Sequence, residues 1–301
     1  MAEIELIGVP FDGFGRAGNQ ALAADALLRA GLAGAFAGAR IGETVLELPP
    51  PDPRRGAATG LLNEPALTVM VDALAGRVAA AVGAGRFPVV HGADCSTLLG
   101  TVDGLRTASG RAGLVFVDGH EDTMPLDVSE DGEAANAELA LLLGRTGHLL
   151  TGPLRRRLGT LDASALAVLG PRDDDWRRRF GVASLRDAGV WLRDVDEVAA
   201  DPRGAGRAAA SHVAGAAAAW WLHVDLDVLD PVEFPAQGLP GVPDDPGGLT
   251  WPQLTDLLLA ALGVAGCAGW SLAIYDPEQD PGGVSARRIV RLAREVAAAL
   301  P

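Results

Sequence analysis

Two short runs hold most of the side chains able to do chemistry. In Asp118-Gly119-His120-Glu121-Asp122, acid and imidazole recur at every second residue, and Asp225-Leu226-Asp227 repeats the spacing. In extended chain, residues i, i+2 and i+4 point the same way, so Asp118, His120 and Asp122 share one face, as do Asp225 and Asp227. Five donors of this kind suit a hard or borderline divalent ion, manganese foremost, with zinc or iron as alternatives. A carboxylate shared between two ions lowers the pKa of a common water and yields hydroxide at neutral pH. Acids that cap helices or solvate strand ends look the same one motif at a time. It is the pair of motifs, on two separate strands, that points to metal.

Positioning these side chains falls to the elements before them. Leu114-Val115-Phe116-Val117 and Trp220-Trp221-Leu222-His223-Val224 are largely apolar runs, the mark of strands covered on both faces in a parallel sheet. The acids therefore stand at the carboxyl ends of strands, where parallel-sheet proteins build their sites. Similar runs predict strands at 5–10, 87–90, 165–170 and 270–275. Helical spacing fills 20–32, 64–82 and 285–300; a further helix starts at Ser96, and the Ala-rich 208–219 reads as a packed surface helix. The proline cluster at 49–53 excludes regular structure, and the acidic stretch Pro243-Asp244-Asp245-Pro246-Gly247-Gly248 reads as a solvated turn. Strands alternating with helices predict one α/β domain over residues 1–301, a mainly parallel sheet between two helical layers.

Composition narrows the function classes. With 49% apolar residues among 301, the chain can bury a large core, so disorder is excluded. Thirty-nine acidic against 25 basic residues give a net charge of −14, which argues against nucleic acid and against an anionic membrane surface as partners. All 25 basic residues are arginine. The absence of lysine excludes Schiff-base chemistry, pyridoxal phosphate attachment and a Walker A loop. The two cysteines, Cys95 and Cys267, are too few for a disulfide framework and fit a reducing cytoplasm. In a parallel sheet Cys95 follows its strand and Cys267 precedes its own, so the two stand at opposite edges and do not pair. The acidic start and the lack of roughly 18 uninterrupted apolar residues predict neither a signal peptide nor a spanning helix.

The Asp-x-His-x-Asp motif and Asp225-Leu226-Asp227-Val228-Leu229-Asp230-Pro231 resemble those of the ureohydrolase family of arginases and agmatinases. Gly8-Val9-Pro10-Phe11, Ala24-Asp25-Ala26-Leu27-Leu28 and Asp276-Pro277 carry the likeness over essentially the whole chain. The resemblance implies a single three-layer α/β/α domain, a trimer or hexamer, and a binuclear manganese centre that hydrolyses guanidinium groups. It further implies that Asp118 and Asp225 bridge, that His120, Asp122 and Asp227 complete the shell, and that Asp122 orients the attacking hydroxide.

Several positions depart from that pattern. Gly92-Ala93-Asp94-Cys95-Ser96 stands where the family has Gly-Gly-Asp-His-Ser, so Cys95 takes the place of a histidine ligand. As a thiolate it would favour zinc, iron or cobalt over manganese; as a thiol it would be a buried bystander. His91 either stands in as a ligand or is a strand-end histidine satisfied by backbone. Ile274 replaces the glutamate that pairs with the guanidinium, and Ala135 replaces a histidine near the substrate. Met124, Ser129 and Asp131 occupy positions that hold the amino acid's carboxylate in arginases, and Asp131 would repel it. Asp175 matches the acid that holds the substrate amine, while Glu133 and Glu138 either add negative charge beside the metal loop or face water. The expectation is a hydrolase with one or two divalent ions, cutting a carbon–nitrogen bond in a small cationic guanidine or amidine other than arginine. A single-metal, deacetylase-like amide hydrolase and a metal-binding relative without catalysis are the alternatives.

Overall fold

The computed structural model describes residues 3–238 and 246–300; Pro243, Asp244 and Asp245 of the expected acidic turn lie outside them. Among the described residues eight strands form one sheet: β1 (Glu3–Gly8), β2 (Arg40–Val45), β3 (Arg86–His91), β4 (Ala112–Val117), β5 (Leu166–Leu169), β6 (Trp191–Arg193), β7 (Ala219–Asp225) and β8 (Cys267–Ala273). Their order is β2-β1-β3-β8-β7-β4-β5-β6, and every pairing is parallel. The parallel sheet expected is thus present, and no antiparallel pairing enters it among the described residues.

The period-two alternation of the strands builds two cores. Leu6, Val115, Val117, Leu222 and Val224 point to one face, where the helices Ala23–Arg29, Pro202–Ala216, Trp251–Leu262 and Val284–Ala299 cover them. Ile7, Val90, Leu114, Phe116 and Trp221 point to the other, under the helices Glu64–Gly83 and Leu98–Ser109. The 20-residue helix Glu64–Gly83 is long and apolar enough to cross a membrane by length and composition. Here Leu67, Met70, Val71, Leu74 and Val78 are buried in the second core. Its neighbour approaches closely at Gly100 and Gly104, where an added Cβ would meet the Val71 and Ala75 carbonyl oxygens at 2.6 and 2.7 Å.

Elements differ from expectation where local signals are weak. The edge strands β2 and β6 have no counterpart in the apolar runs, because β2 is largely exposed and β6 is three residues long. The helix expected at 208–219 begins earlier, at Pro202, with the Asp201 side chain accepting from the Gly204 N–H, and it ends before β7. The pattern at 20–32 is divided into a 3-10 turn and the helix Ala23–Arg29, closed by Gly31 at φ 98°. A 3-10 turn, Cys95–Thr97, precedes the helix expected from Ser96. Both cysteines are free thiols.

The order β3-β8-β7-β4 at the centre of the sheet matters most for the site. These neighbours end side by side and carry, past their carboxyl ends, the segments that hold Cys95, Ile274, Asp225 with Asp227, and Asp118 through Asp122.

Candidate metal centre

Asp118, His120, Asp225 and Asp227 are fixed by the turns that leave β4 and β7. The Asp118 carboxylate accepts the His120 backbone N–H at 2.7 Å, and Asp225 accepts that of Asp227 at 2.7 Å. Asp227 reaches across to accept the Gly119 N–H at 3.0 Å, tying the two turns together. His120 Nδ1 lies 3.1 Å from Asp227 and 3.5 Å from Asp118. From β3, the Cys95 thiol donates to Asp225 at 2.6 Å and stands 3.5 Å from Asp118. Three overlapping ligand groups result, each with its donor atoms within 4.8 Å of one another: Cys95, Asp118, His223 and Asp225; Cys95, Asp122 and Glu138; and Asp118, His120 and Asp227. The period-two reading therefore brings its five residues, and Cys95, to one place.

Backbone strain gathers at the same place. Ala93, Asp122 and Ile274 adopt φ of 62°, 42° and 62°, a region that costs an L-residue roughly 1–2 kcal/mol. The Asp122 carbonyl accepts the Leu139 N–H at 3.1 Å and the Ile274 N–H donates to the Ala93 carbonyl at 3.0 Å, bonds that hold these conformations in place. Strain that the surroundings enforce in this way clusters at functional sites.

The charge distribution fits a divalent cation. Burial, reinforced by Asp227, pushes the Asp118 carboxyl up to about 6. Burial likewise pushes Asp122 well above the carboxylate range, with Glu138 as the next cause, and Asp225, with Asp227 and Asp118. Glu138 is fully buried, its pKa is also raised well above normal by burial, and neither of its oxygens has a hydrogen-bond donor among the described residues. At Asp227 the negative charge is more than offset: burial works against it, but His120 and Arg172 together hold its carboxyl below the usual range. A cation among these oxygens relieves both the repulsion and the missing hydrogen bonds. Of the buried imidazoles, His91 is lowered to about 4 and His223 to about 3 by burial, so both stay neutral at pH 7.

A cavity of about 350 Å³ opens above the cluster. Cys95, His120, Asp122, Asp225 and Asp227 form its floor, and Phe14, Asp131, Glu133, Trp176 and Ile274 stand on its walls. Other expected residues sit elsewhere. Asp175 is turned to solvent, 97% exposed, and paired with Arg178, because the helix Asp174–Arg179 presents its neighbour Trp176 to the cavity instead. Ser129 does not line the cavity; its hydroxyl accepts the Gly132 N–H at 3.0 Å and holds the loop that carries Asp131. Glu138 lies beneath the floor beside Cys95 and Asp122, not at the substrate and not facing water. Glu133 is buried too, but it does stand on the cavity wall. Met124 is buried off the cavity wall. Among the described residues His91 meets no backbone partner, and it belongs to none of the three ligand groups. Arg172, Trp176, Phe14 and His223 were not read as site residues; for His223 alone a signal was present, since it extends the period-two series His223-x-Asp225-x-Asp227 by one step.

The family profile described as "Arginase family" matches residues 2–299. The chain is 33% identical over 174 residues to an arginase of Eremothecium gossypii, covering 54% of this chain and 41% of that one. It is 29% identical over 197 residues to an arginase of Bacillus caldovelox, covering 64% and 62%. The alignments thus span less than two thirds of these relatives' lengths. Among solved structures, the native arginase of Bacillus caldovelox superimposes with a TM-score of 0.84 at 24% identity over 99% of this chain and 98% of that one. Formimidoylglutamase of Bacillus subtilis does so with a TM-score of 0.74 at 17% identity, over 99% and 87%.

Proposed function

Because the chain belongs to the arginase family, we propose that it is a divalent-metal hydrolase that cuts a carbon–nitrogen bond in a small cationic guanidine or amidine other than arginine. The observation that carries this reading is the convergence of Cys95, Asp118, His120, Asp122, Asp225 and Asp227 beneath one cavity. A divalent ion, manganese, zinc, iron or cobalt, would supply Lewis acidity that lowers the pKa of water and polarises the carbon under attack. Asp118, His120 and Asp227 would hold it at the cavity floor, with Asp225 beside Asp118. Asp122, buried at the cavity floor, would orient the attacking water and take the proton it loses on a carboxylate oxygen.

The walls describe the substrate. Asp131 and Glu133 offer acid side chains to a cation, against Arg172 on the Asp227 side. Trp176 and Phe14 add aromatic surface, Phe14 with Arg16 over its ring at 5.0 Å. Ile274 offers the guanidinium an apolar contact in place of a bidentate carboxylate, and Asp131 repels the carboxylate that arginine carries. Family members are typically oligomeric, and the reading extends to a homo-oligomer, trimer or hexamer, in the cytoplasm. The test is a screen of urea, ammonia and amine release across guanidines and amidines, with manganese, zinc, iron and cobalt each added to metal-free protein. Metal-dependent release from one of them supports the reading. Stoichiometric metal binding without turnover of any would overturn it in favour of a relative that binds metal and has lost catalysis.

A further inference from the structure

We propose that His223 is a metal ligand. With Cys95, Asp118 and Asp225 it closes a buried site of one sulfur, one nitrogen and two oxygen donors that takes zinc, or another thiophilic divalent ion, in preference to manganese. The inference rests on the metal-hydrolase reading and assigns the two ends of the cluster different work.

The four donor atoms lie within 4.8 Å of one another, and the four side chains are at most 2% exposed. His223 Nε2 stands 3.2 Å from Cys95 Sγ, and Asp118 stands 3.5 Å from the same sulfur. Tetrahedral bonds of the lengths zinc makes to sulfur, nitrogen and oxygen give donor–donor edges of roughly 3.3–3.7 Å; the edges from Cys95 to His223 and Asp118 are already close to this, and the Cys95–Asp225 contact must open. The imidazole is aimed there by its surroundings. Nδ1 is engaged by Ser271 Oγ at 2.7 Å, Ser271 in turn accepts the Trp221 indole N–H at 2.8 Å, and the ring stacks on Phe116 with centroids 5.4 Å apart. An outer partner on one nitrogen with the other directed into a donor cluster is the arrangement of a ligating histidine. Thiolate and imidazole together select zinc or cobalt over manganese.

Four protein donors fill a tetrahedral ion, which is the character of a structural site. The group of Asp118, His120 and Asp227 differs: His120 and Asp227 are 37% and 15% exposed and line the cavity. The ion held there keeps room for water and substrate, and Asp118 joins the two positions through its separate oxygens.

The test uses the full chain, stripped of metal and titrated with cobalt(II) alone, and X-ray absorption on the zinc-loaded wild type. The expected results are sulfur-to-cobalt charge-transfer absorption with intense tetrahedral bands, one sulfur ligand at zinc, and loss of the charge-transfer band in Cys95→Ser. His223→Gln should weaken the tight-binding ion at least about tenfold and remove one imidazole from the absorption fit. Cobalt bound with a weak, octahedral, sulfur-free spectrum would overturn the proposal, as would His223→Gln that keeps the wild-type affinity and spectrum; the metal-hydrolase reading survives either. Protein that binds no ion at all overturns both. The wild-type absorption spectrum decides the ligand set even if a variant fails to fold.

Discussion

Asp225 belongs to the deepest ligand group, accepting the Cys95 thiol on one oxygen and the Asp227 backbone N–H on the other. Asp225→Ala removes a donor and unfastens two neighbours, so elemental analysis is expected to find its metal lost; a variant that retains full metal would show the site misassigned. Substrate choice also rests on single residues. Losing a charge-assisted bond costs about 1.5–3 kcal/mol and each 1.4 kcal/mol is about tenfold in rate, so Ile274 and Asp131 together should suppress arginine turnover by roughly a hundredfold or more. Urea release from arginine, measured with each metal, checks this, and a rate comparable to ordinary arginases would refute it. Ile274→Glu should raise guanidinium affinity with the fold intact, since a β-branched residue at φ 62° is already among the least comfortable choices there. Unchanged affinity in a folded Ile274→Glu protein would count against the pocket.

Helix packing beside the sheet shows how a local rule can be reversed by its surroundings. By propensity alone, Gly100→Ala in the helix Leu98–Ser109 should stabilise by up to about 1 kcal/mol. The added methyl, however, would meet the Val71 carbonyl oxygen at 2.6 Å and Leu74 Cβ at 2.7 Å, and backbone cannot yield as a flexible side chain does. The helices must move apart, and a net loss of about 1–3 kcal/mol is expected as a lower urea midpoint at unchanged slope. A raised midpoint would mean that the close approach does not constrain the pair. The strand ends carry the converse lesson. The burial of β3, β7, β8 and β4 on both faces made these strands legible as apolar runs, whereas β2 and β6 are edge strands with little apolar signal to read.

Over the whole molecule the net charge of −14 is partly concentrated in one buried cluster. In metal-free protein Asp118 and Asp94 are pushed up to about 6, chiefly by burial, and Asp122, Asp225, Glu133 and Glu138 well above normal. The folded state then holds protons that the unfolded chain releases near pH 4, so stability falls as pH rises toward 6 and stays reduced above it. His91 and His223, neutral when folded, oppose this below 6.5, and Asp227, held low overall, opposes it at acid pH; His120, raised well above 6.5, adds to it. The shift of Asp118 alone, from 3.8 to about 6, corresponds to about 3 kcal/mol. Chelated protein should therefore melt at a higher temperature near pH 5 than near pH 8, and metal should reverse the order because it binds the deprotonated ligands. Equal melting temperatures at the two pH values without metal would show that the carboxylates are not packed as described.

By itself the sequence determined what is set locally: acids and imidazole at every second residue past two apolar strands, a cysteine at the end of a third, and the α/β alternation that makes such strands parallel. A strand fixes the direction of its side chains within a few residues, so Asp118, His120, Asp122, Asp225 and Asp227 were legible together. Tertiary structure alone decided which other groups face them. Asp175 and Trp176 are neighbours on one short helix, and its packing sends the tryptophan to the cavity and the acid to water. Cys95 and His223 lie 128 residues apart, and they meet because burying every central strand on both faces brings β3, β8, β7 and β4 side by side with their carboxyl ends level. That order minimises exposed apolar surface over the whole chain, a quantity to which no short stretch of sequence has access.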